Sequence, residues 1–205
     1  LLPYRASTEK DAWFDERLIN YSKIVLVTQG TVEKDIEKLL VPTLKAFKNT
    51  DTLVVCTTGG TKTDQLKKRF PHANVIIEDY IPFADIMPYA TVYITNGGYG
   101  GVMLGIKHHL PMVVAGVHEG KNEINARIGY FNLGINLKTE KPTPLQLKAA
   151  VEEVLNNKQY KRNVDTLANE FSQYDPATLC LYYVDSILKN KQARKPLQVR
   201  RLFEN

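Results

Sequence analysis

The most informative part of this sequence is residues 91–106, Thr91-Val92-Tyr93-Ile94-Thr95-Asn96-Gly97-Gly98-Tyr99-Gly100-Gly101-Val102-Met103-Leu104-Gly105-Ile106. Residues 92–95 form a short run of β-branched and aromatic side chains, which predicts a buried strand. Four glycines then allow a sharp bend or the close approach of a ligand, and the apolar run 102–106 predicts a helix. Such a helix start presents unbonded N–H groups and the positive end of the helix dipole. The stretch therefore predicts a phosphate or diphosphate site.

A strand-to-helix turn without any ligand is the alternative explanation of the same residues. The stretch matches neither the G-x-G-x-x-G pattern of dinucleotide-binding turns nor the G-x-x-x-x-G-K-[ST] pattern of the P-loop. The number of glycines, together with the neighbouring Asn96 and Tyr99, favours the phosphate interpretation.

Short apolar runs alternate with amphipathic segments through most of the chain. This alternation predicts an α/β fold with a mostly parallel sheet and helices on both faces. Pro42 predicts a kink or a break in the first helix. The predicted strands are residues 23–27, 52–58, 74–78, 92–95, 112–115 and 134–137. The predicted helices are residues 35–48, 63–70, 84–89, 102–106, 124–130, 145–155, 160–171 and 177–188.

Composition excludes several other classes of protein. The net charge of +5 over 205 residues is spread through the chain except for a basic cluster at residues 189–201, so it does not indicate a nucleic-acid surface. Cys56 lies within an apolar strand pattern and is expected to be a buried thiol. The histidines show no metal-ligand spacing. No apolar run reaches membrane-spanning length and no signal peptide leads the sequence, which predicts a cytoplasmic protein.

Small or polar loops follow five of the predicted strands. They comprise residues 28–31, 57–60, 80–83, 96–101 and 116–123. In parallel sheets of this kind, ligands bind beyond the carboxyl ends of the strands. These loops are therefore expected to line one cleft.

The order of these motifs resembles that of family 1 glycosyltransferases, which use UDP-sugars or related nucleotide sugars. The resemblance covers residues 23–188 and corresponds to the C-terminal, donor-binding half of the GT-B fold, a Rossmann-like domain. Its most specific part is the glycine-rich stretch. The other matching segments are Asp79-Tyr80-Ile81-Pro82, Leu110-Pro111-Met112-Val113-Val114 and Asn125-Ala126-Arg127.

The resemblance implies a role for each end of the cleft. The implied nucleobase-binding residues are Tyr80, which would stack on the base, Ile81, whose backbone would bond its edge, and Phe83. The implied diphosphate-binding residues are Gly30, Thr31, Asn96, Gly98, Gly100, Gly101 and Val102. The implied sugar-binding residues are Glu119, Asn122 and Glu123.

The sequence also departs from the family pattern. Leu104 stands where plant-type members hold the ribose with Glu, and Asn96 stands where many members have a histidine. The Asp-Gln pair that the family has in the sugar-binding loop is absent. Either Glu119 or Glu123 could supply the acid, because the alignment of this loop with that of the family stays open. Phe83 replaces a common polar residue.

The resemblance implies transfer of a hexose from a UDP-sugar, or a related nucleotide sugar, to an acceptor hydroxyl, with inversion and without a metal or other cofactor. The general base would be a histidine of an N-terminal acceptor domain, of which residues 1–22 would be the end and linker. Residues 23–188 would then bind the nucleotide sugar and be inactive alone, with residues 189–205 as a basic tail. An unpaired domain of this kind could also self-associate through an exposed apolar face.

Two other functions are alternatives to this activity. One is a stand-alone nucleotide-sugar-binding or regulatory subunit that pairs with a separate catalytic partner, with the basic tail as a docking arm. The other is an epimerase of the GT-B fold, against which the Asn-Gly-Gly-Tyr-Gly-Gly pattern argues.

Overall fold

The computed structural model describes residues 12–30 and 32–189, with only the backbone of Lys189. The chain divides into two compact units, one that ends at Asn169 and one that begins at Glu170. Residues 1–11 of the predicted lead-in, Thr31 of the predicted diphosphate site and the tail 190–205 lie outside the described residues.

A six-stranded parallel sheet forms the centre of the first unit. Its strand order is β3-β2-β1-β4-β5-β6, and all neighbouring strands are parallel. The predicted parallel α/β architecture is thereby confirmed. The strands are β1 Ile24–Thr28, β2 Leu53–Thr57, β3 Val75–Glu78, β4 Val92–Thr95, β5 Met112–Val114 and β6 Gly134–Asn136.

Helices follow each strand, after a short 3-10 turn at Glu16–Ile19 that precedes β1. Thr143 caps one of them by accepting a hydrogen bond from the Gln146 N–H in a capping box, as its position before Pro144 predicts. The helices are α1 Leu40–Phe47, α2 Thr63–Arg69, α3 Phe83–Ile86, α4 Tyr99–Lys107, α5 Lys121–Tyr130, α6 Pro144–Asn156, α7 Lys158–Ser172 and α8 Pro176–Lys189.

The starts of three helices differ from the prediction by three residues or more. The first helix begins at Leu40 rather than at residue 35, so Pro42 lies in its first turn, where no intrahelical N–H bond is lost. Pro42 therefore neither kinks nor breaks the helix. Helix α4 begins at Tyr99, three residues earlier than predicted. Helix α5 likewise begins at Lys121 rather than at residue 124.

Helices cover both faces of the sheet, as predicted. Alternate residues of β1 belong to opposite cores: Val25 and Val27 pack on one face, and Ile24 and Leu26 on the other. Helices α1 and α6 contribute to the first core, and α4, α5 and α7 contribute to the second. Because both faces of the sheet are buried, the sequence of each strand is a continuous apolar run.

Cys56 is a free, buried thiol, as predicted. It lies in the core that α1 and α6 cover. Burial raises the pKa of this thiol to about 12, so it remains protonated at neutral pH.

Candidate functional site

The strand order reverses between β1 and β4, which makes their carboxyl ends the expected ligand site of the sheet. Thr28 and Thr95 are paired neighbours at these ends. Beyond them, the Asn96 Nδ2 donates a hydrogen bond to the Gln29 carbonyl oxygen, which joins the two loops. Asn96 also lies beside Gly30, because a Cβ at Gly30 would be 3.4 Å from Asn96 Nδ2.

Helix α4 begins just beyond this position, in the segment that the sequence predicts to bind the diphosphate. Gly98 is the N-cap residue, and its own N–H donates to Asn96 Oδ1 at 3.2 Å. The Val102 N–H is bonded to the Gly98 carbonyl at 3.0 Å. This N–H is therefore already used within the helix, and the predicted diphosphate contact of Val102 would have to share or replace this bond. The first-turn N–H groups that need another partner are those of Tyr99, Gly100 and Gly101.

Packing explains in different ways why glycine occupies two positions of this stretch. Gly97 has a φ of +82°, and a Cβ there would overlap the side-chain amide of Asn125. A Cβ at Gly101 would lie 3.1 Å from the Tyr93 hydroxyl oxygen. Burial raises the pKa of Tyr93 to about 12, so this hydroxyl is neutral. Glycine is thus needed at position 97 whether or not a phosphate binds, whereas a Cβ at position 101 would require the Tyr93 hydroxyl to shift by a few tenths of an ångström.

Asn125 connects the glycine-rich turn with the loop after β5. Its side chain is fully buried, and its Nδ2 donates to the Gly116 carbonyl at 2.9 Å and to the Asn96 carbonyl at 3.5 Å. Its Oδ1 has no hydrogen-bond partner within the described part of the chain. Asn125 belongs to the Asn-Ala-Arg segment of the sequence, but nothing in that segment indicates its hydrogen bonds to the Gly116 and Asn96 carbonyls.

Tyr80 lies at the other end of the cleft. Its hydroxyl donates to the Gly59 carbonyl at 2.8 Å, and its side chain remains 71% exposed. Gly59 in turn approaches the first loop, since a Cβ there would be 3.7 Å from the Gly30 carbonyl oxygen. The loops after β1, β2 and β3 therefore lie against one another.

The other two residues of the predicted nucleobase end are less accessible. The side chain of Ile81 is buried, which leaves only its backbone for the predicted contact. Phe83 begins α3 and packs partly against the core. Stacking of a base on Tyr80 stays a prediction.

The predicted sugar-binding residues all lie on the loop after β5 and the first turn of α5. Glu119, Asn122 and Glu123 are exposed. Glu119 has a φ of +57°, and its carboxylate pairs with the Lys121 ammonium at 2.5 Å. The Lys121 side chain is only 15% exposed and lies against Gly116. Lys121 was missed because a lone lysine at a helix start has no distinctive pattern.

Glu140 is a second residue that the sequence did not indicate. It follows β6, yet its Oε1 accepts hydrogen bonds from the backbone N–H groups of Val117 and His118. Nothing in the spacing of these residues along the chain predicts the contact.

Metal ligands and membrane-spanning helices are two further features that could define a function. Across residues 12–30 and 32–189, no group of three or more His, Cys, Asp or Glu side chains is arranged to hold a metal ion. In the same ranges, none of the helices has the length and apolar character that a membrane span requires.

These features define a class of protein. The sheet order, the helices on both faces and the glycine-rich turn at the point of reversal are those of a Rossmann-like domain that forms half of a GT-B fold. A family model described as "Erythromycin biosynthesis protein CIII-like, C-terminal domain" matches residues 42–180. The chain belongs to this family, the C-terminal domains of family 1 glycosyltransferases.

Curated relatives are similar over most of this chain but are much longer. The 4'-demethylrebeccamycin synthase of Lentzea aerocolonigenes is 37% identical over 164 residues, which are 80% of this chain and 38% of the relative. UDP-glucosyltransferase 1 of Beauveria bassiana is 39% identical over 159 residues, which are 77% of this chain and 34% of the relative. The chain thus spans little more than a third of either protein.

Solved structures show the same fold. The calicheamicin glycosyltransferase CalG4 superposes with a TM-score of 0.78 at 20% identity, over 91% of this chain and 48% of the other. Os79 from O. sativa, solved in complex with UDP, gives a TM-score of 0.65 at 17% identity, over 75% of this chain and 37% of the other. At these identities the likeness concerns the fold alone.

Proposed function

We propose that this chain is the donor-binding half of a glycosyltransferase that transfers a hexose from a UDP-sugar to an acceptor hydroxyl. The observation that supports it most is the start of α4 at the point where the strand order reverses. The N–H groups of Tyr99, Gly100 and Gly101 have no partner within the helix there. The names of the relatives, which include a UDP-glucosyltransferase, agree with this donor.

The proposed role of these donors is to hold the diphosphate and to stabilise the negative charge that develops as UDP leaves. A preorganised donor in a site shielded from water contributes about 3 kcal/mol to such a step. Asn96 can donate a hydrogen bond but cannot become cationic, so its contribution is orientation. Its Nδ2 already bonds the Gln29 carbonyl, which fixes the side chain beside Gly30.

The acceptor side of the reaction is proposed to lie in another domain. In the proposed mechanism, the acceptor hydroxyl attacks the anomeric carbon with inversion while a general base removes its proton. We assign no residue of this chain to that base. The chain is accordingly expected to bind the donor but not to transfer sugar until it is joined to, or mixed with, an acceptor domain.

Titration calorimetry with UDP, UDP-glucose, TDP-glucose and ADP-ribose tests this function. We expect the uridine nucleotides to bind more tightly than ADP-ribose, with the same affinity in the presence of EDTA. Equal binding of ADP-ribose would contradict uridine recognition, and an absence of binding by all four compounds would contradict the donor-site assignment. A transfer assay with the chain alone should show no product.

A further inference from the structure

A carboxylate that follows β6 holds the loop after β5 in place. Glu140 Oε1 accepts hydrogen bonds from the N–H groups of Val117 at 2.5 Å and His118 at 3.0 Å. These are consecutive backbone donors in the segment between β5 and α5, directly before Glu119 and Lys121. One side chain thereby fixes the direction of the loop that is proposed to contact the donor sugar.

The environment of Glu140 keeps this carboxylate ionised. Its side chain is 19% exposed. Burial raises its pKa, but the Val117 and His118 N–H groups and the nearby Lys38 lower it, so that the pKa lies below its usual value. Hydrogen bonds to an ionised acceptor are stronger than those to a neutral one. The contact is therefore stronger than an ordinary loop hydrogen bond.

The same carboxylate is linked to the loop after β1. Glu140 Oε2 lies 3.6 Å from the Lys38 ammonium, and Lys38 pairs with Glu33 at 2.5 Å. The Glu33 carbonyl accepts from the Gln29 Nε2 at 3.3 Å. Gln29 is the residue whose own carbonyl accepts from Asn96. The polar connections thus run from the loop after β5 to the diphosphate end of the cleft.

The loop needs such support because its backbone is unfavourable. Glu119 has a φ of +57°, and the left-handed conformation is costly for a residue other than glycine. Gly120, with a φ of +78°, adopts it at little cost. On the opposite side of the loop, Asn125 holds the Gly116 carbonyl. Glu140 and Asn125 therefore hold the first half of the loop through both its N–H and its carbonyl groups.

We propose that Glu140 is a positioning residue that sets the loop for the donor sugar, so that it controls the affinity for the sugar part of the donor rather than for the nucleotide. This inference rests on the proposed function. The side chains that Glu140 positions are Glu119 and Lys121, whose mutual ion pair joins the end of the loop to the first residue of α5.

The test compares UDP with UDP-glucose in calorimetric titrations of the 205-residue chain. Glu140→Ala should weaken UDP-glucose binding about tenfold or more, because two charge-assisted hydrogen bonds are lost, while UDP binding changes less than about twofold. Glu140→Gln keeps an acceptor for both N–H groups and should weaken UDP-glucose binding by no more than about threefold. Glu152→Ala, which removes an exposed glutamate that only approaches Lys148 at 4.0 Å, is the control with the same change of net charge.

Hydrogen exchange provides a readout that does not depend on any ligand. The amides of Val117 and His118 should exchange faster in Glu140→Ala than in Glu140→Gln, while amides in α6 remain unchanged. Unchanged exchange at these two amides, or equal loss of UDP and UDP-glucose affinity, would overturn the positioning role. Failure of the unmodified chain to bind either nucleotide would instead refute the proposed function, and the assigned role of Glu140 with it.

Discussion

Gly98 offers a direct test of the anion site, because a side chain there changes the charge at the helix start with little change in packing. Its φ of −61° and ψ of 140° are open to any residue. Among the residues that the structure describes, the one atom within 4 Å of a Cβ there would be Asn96 Oδ1, at 3.6 Å. Asp and Asn are both favoured N-cap residues. We expect Gly98→Asp and Gly98→Asn to be as stable as the parent or more stable, by about 0.5 kcal/mol.

The two variants should differ sharply in nucleotide binding. An Asp carboxylate about 6 Å from a bound diphosphate, at an effective dielectric constant of about 20, adds about 3 kcal/mol of repulsion for each phosphate charge before screening. Salt at about 0.15 M reduces this but leaves about 3 kcal/mol in total. UDP should therefore bind Gly98→Asp about 100-fold more weakly than Gly98→Asn.

Titration calorimetry of both variants with UDP measures this ratio, and denaturant unfolding verifies that both are folded. Gly98→Ala is a further control because it adds no charge and no competing acceptor for the first-turn N–H groups. It should bind UDP within about threefold of the parent, as its small side chain has room. Equal UDP affinities of the Asp and Asn variants would refute the assignment of the diphosphate to the start of α4.

Three further predictions concern packing, the nucleobase and pH. Gly97→Ala should lower the free energy of unfolding by about 3 kcal/mol in denaturant titrations, because its Cβ overlaps a buried amide. Gly120→Ala has a similar φ, and no atom of the described residues lies within 4 Å of its Cβ, so it should lose only about 1 kcal/mol. Tyr80→Ala should weaken UDP binding tenfold to about 100-fold in calorimetry, whereas Tyr80→Phe, which keeps the ring, should stay within about threefold. Burial raises the pKa of Asp165, but hydrogen bonds from Lys161 and His109 lower it by more, so that its pKa lies below the usual value. The stability advantage of the parent over Asp165→Asn should therefore be complete above about pH 5 and decline as the pH falls below about 4, and a constant difference would contradict this.

The strands and their parallel arrangement could be predicted because each buried strand is a short apolar run bounded by polar residues. All six strands lie at the predicted positions within two residues at either end. Periodicity could not predict the order of the strands, since the alternation of strands and helices is compatible with several parallel orders. The position of the glycine-rich turn at the reversal point therefore became visible only in the structure.

Helix starts were predicted less well because they depend on contacts between distant residues. Gly100 and Gly101 disfavour a helix locally, yet α4 includes both of them. Gly101 faces the Tyr93 hydroxyl across the helix–strand contact, where a Cβ would lie 3.1 Å from that oxygen, so a larger residue would require Tyr93 or the helix to shift. Local propensity thus predicted a longer turn, and tertiary packing produced a longer helix.

The two ends of the predicted cleft differ in how they are built, and this explains why the sequence indicates one of them more clearly than the other. The proposed diphosphate end consists mainly of backbone N–H groups, which a glycine-rich sequence indicates because small residues allow the close approach of a ligand. The sugar end depends on side chains from separate segments, such as Glu140, Lys38 and Asn125, that hold one loop. A change in any of these side chains can alter the loop without altering the sheet or the start of α4. The choice of donor sugar is therefore expected to depend on residues outside the glycine-rich motif, and a prediction of donor specificity from that motif alone should fail.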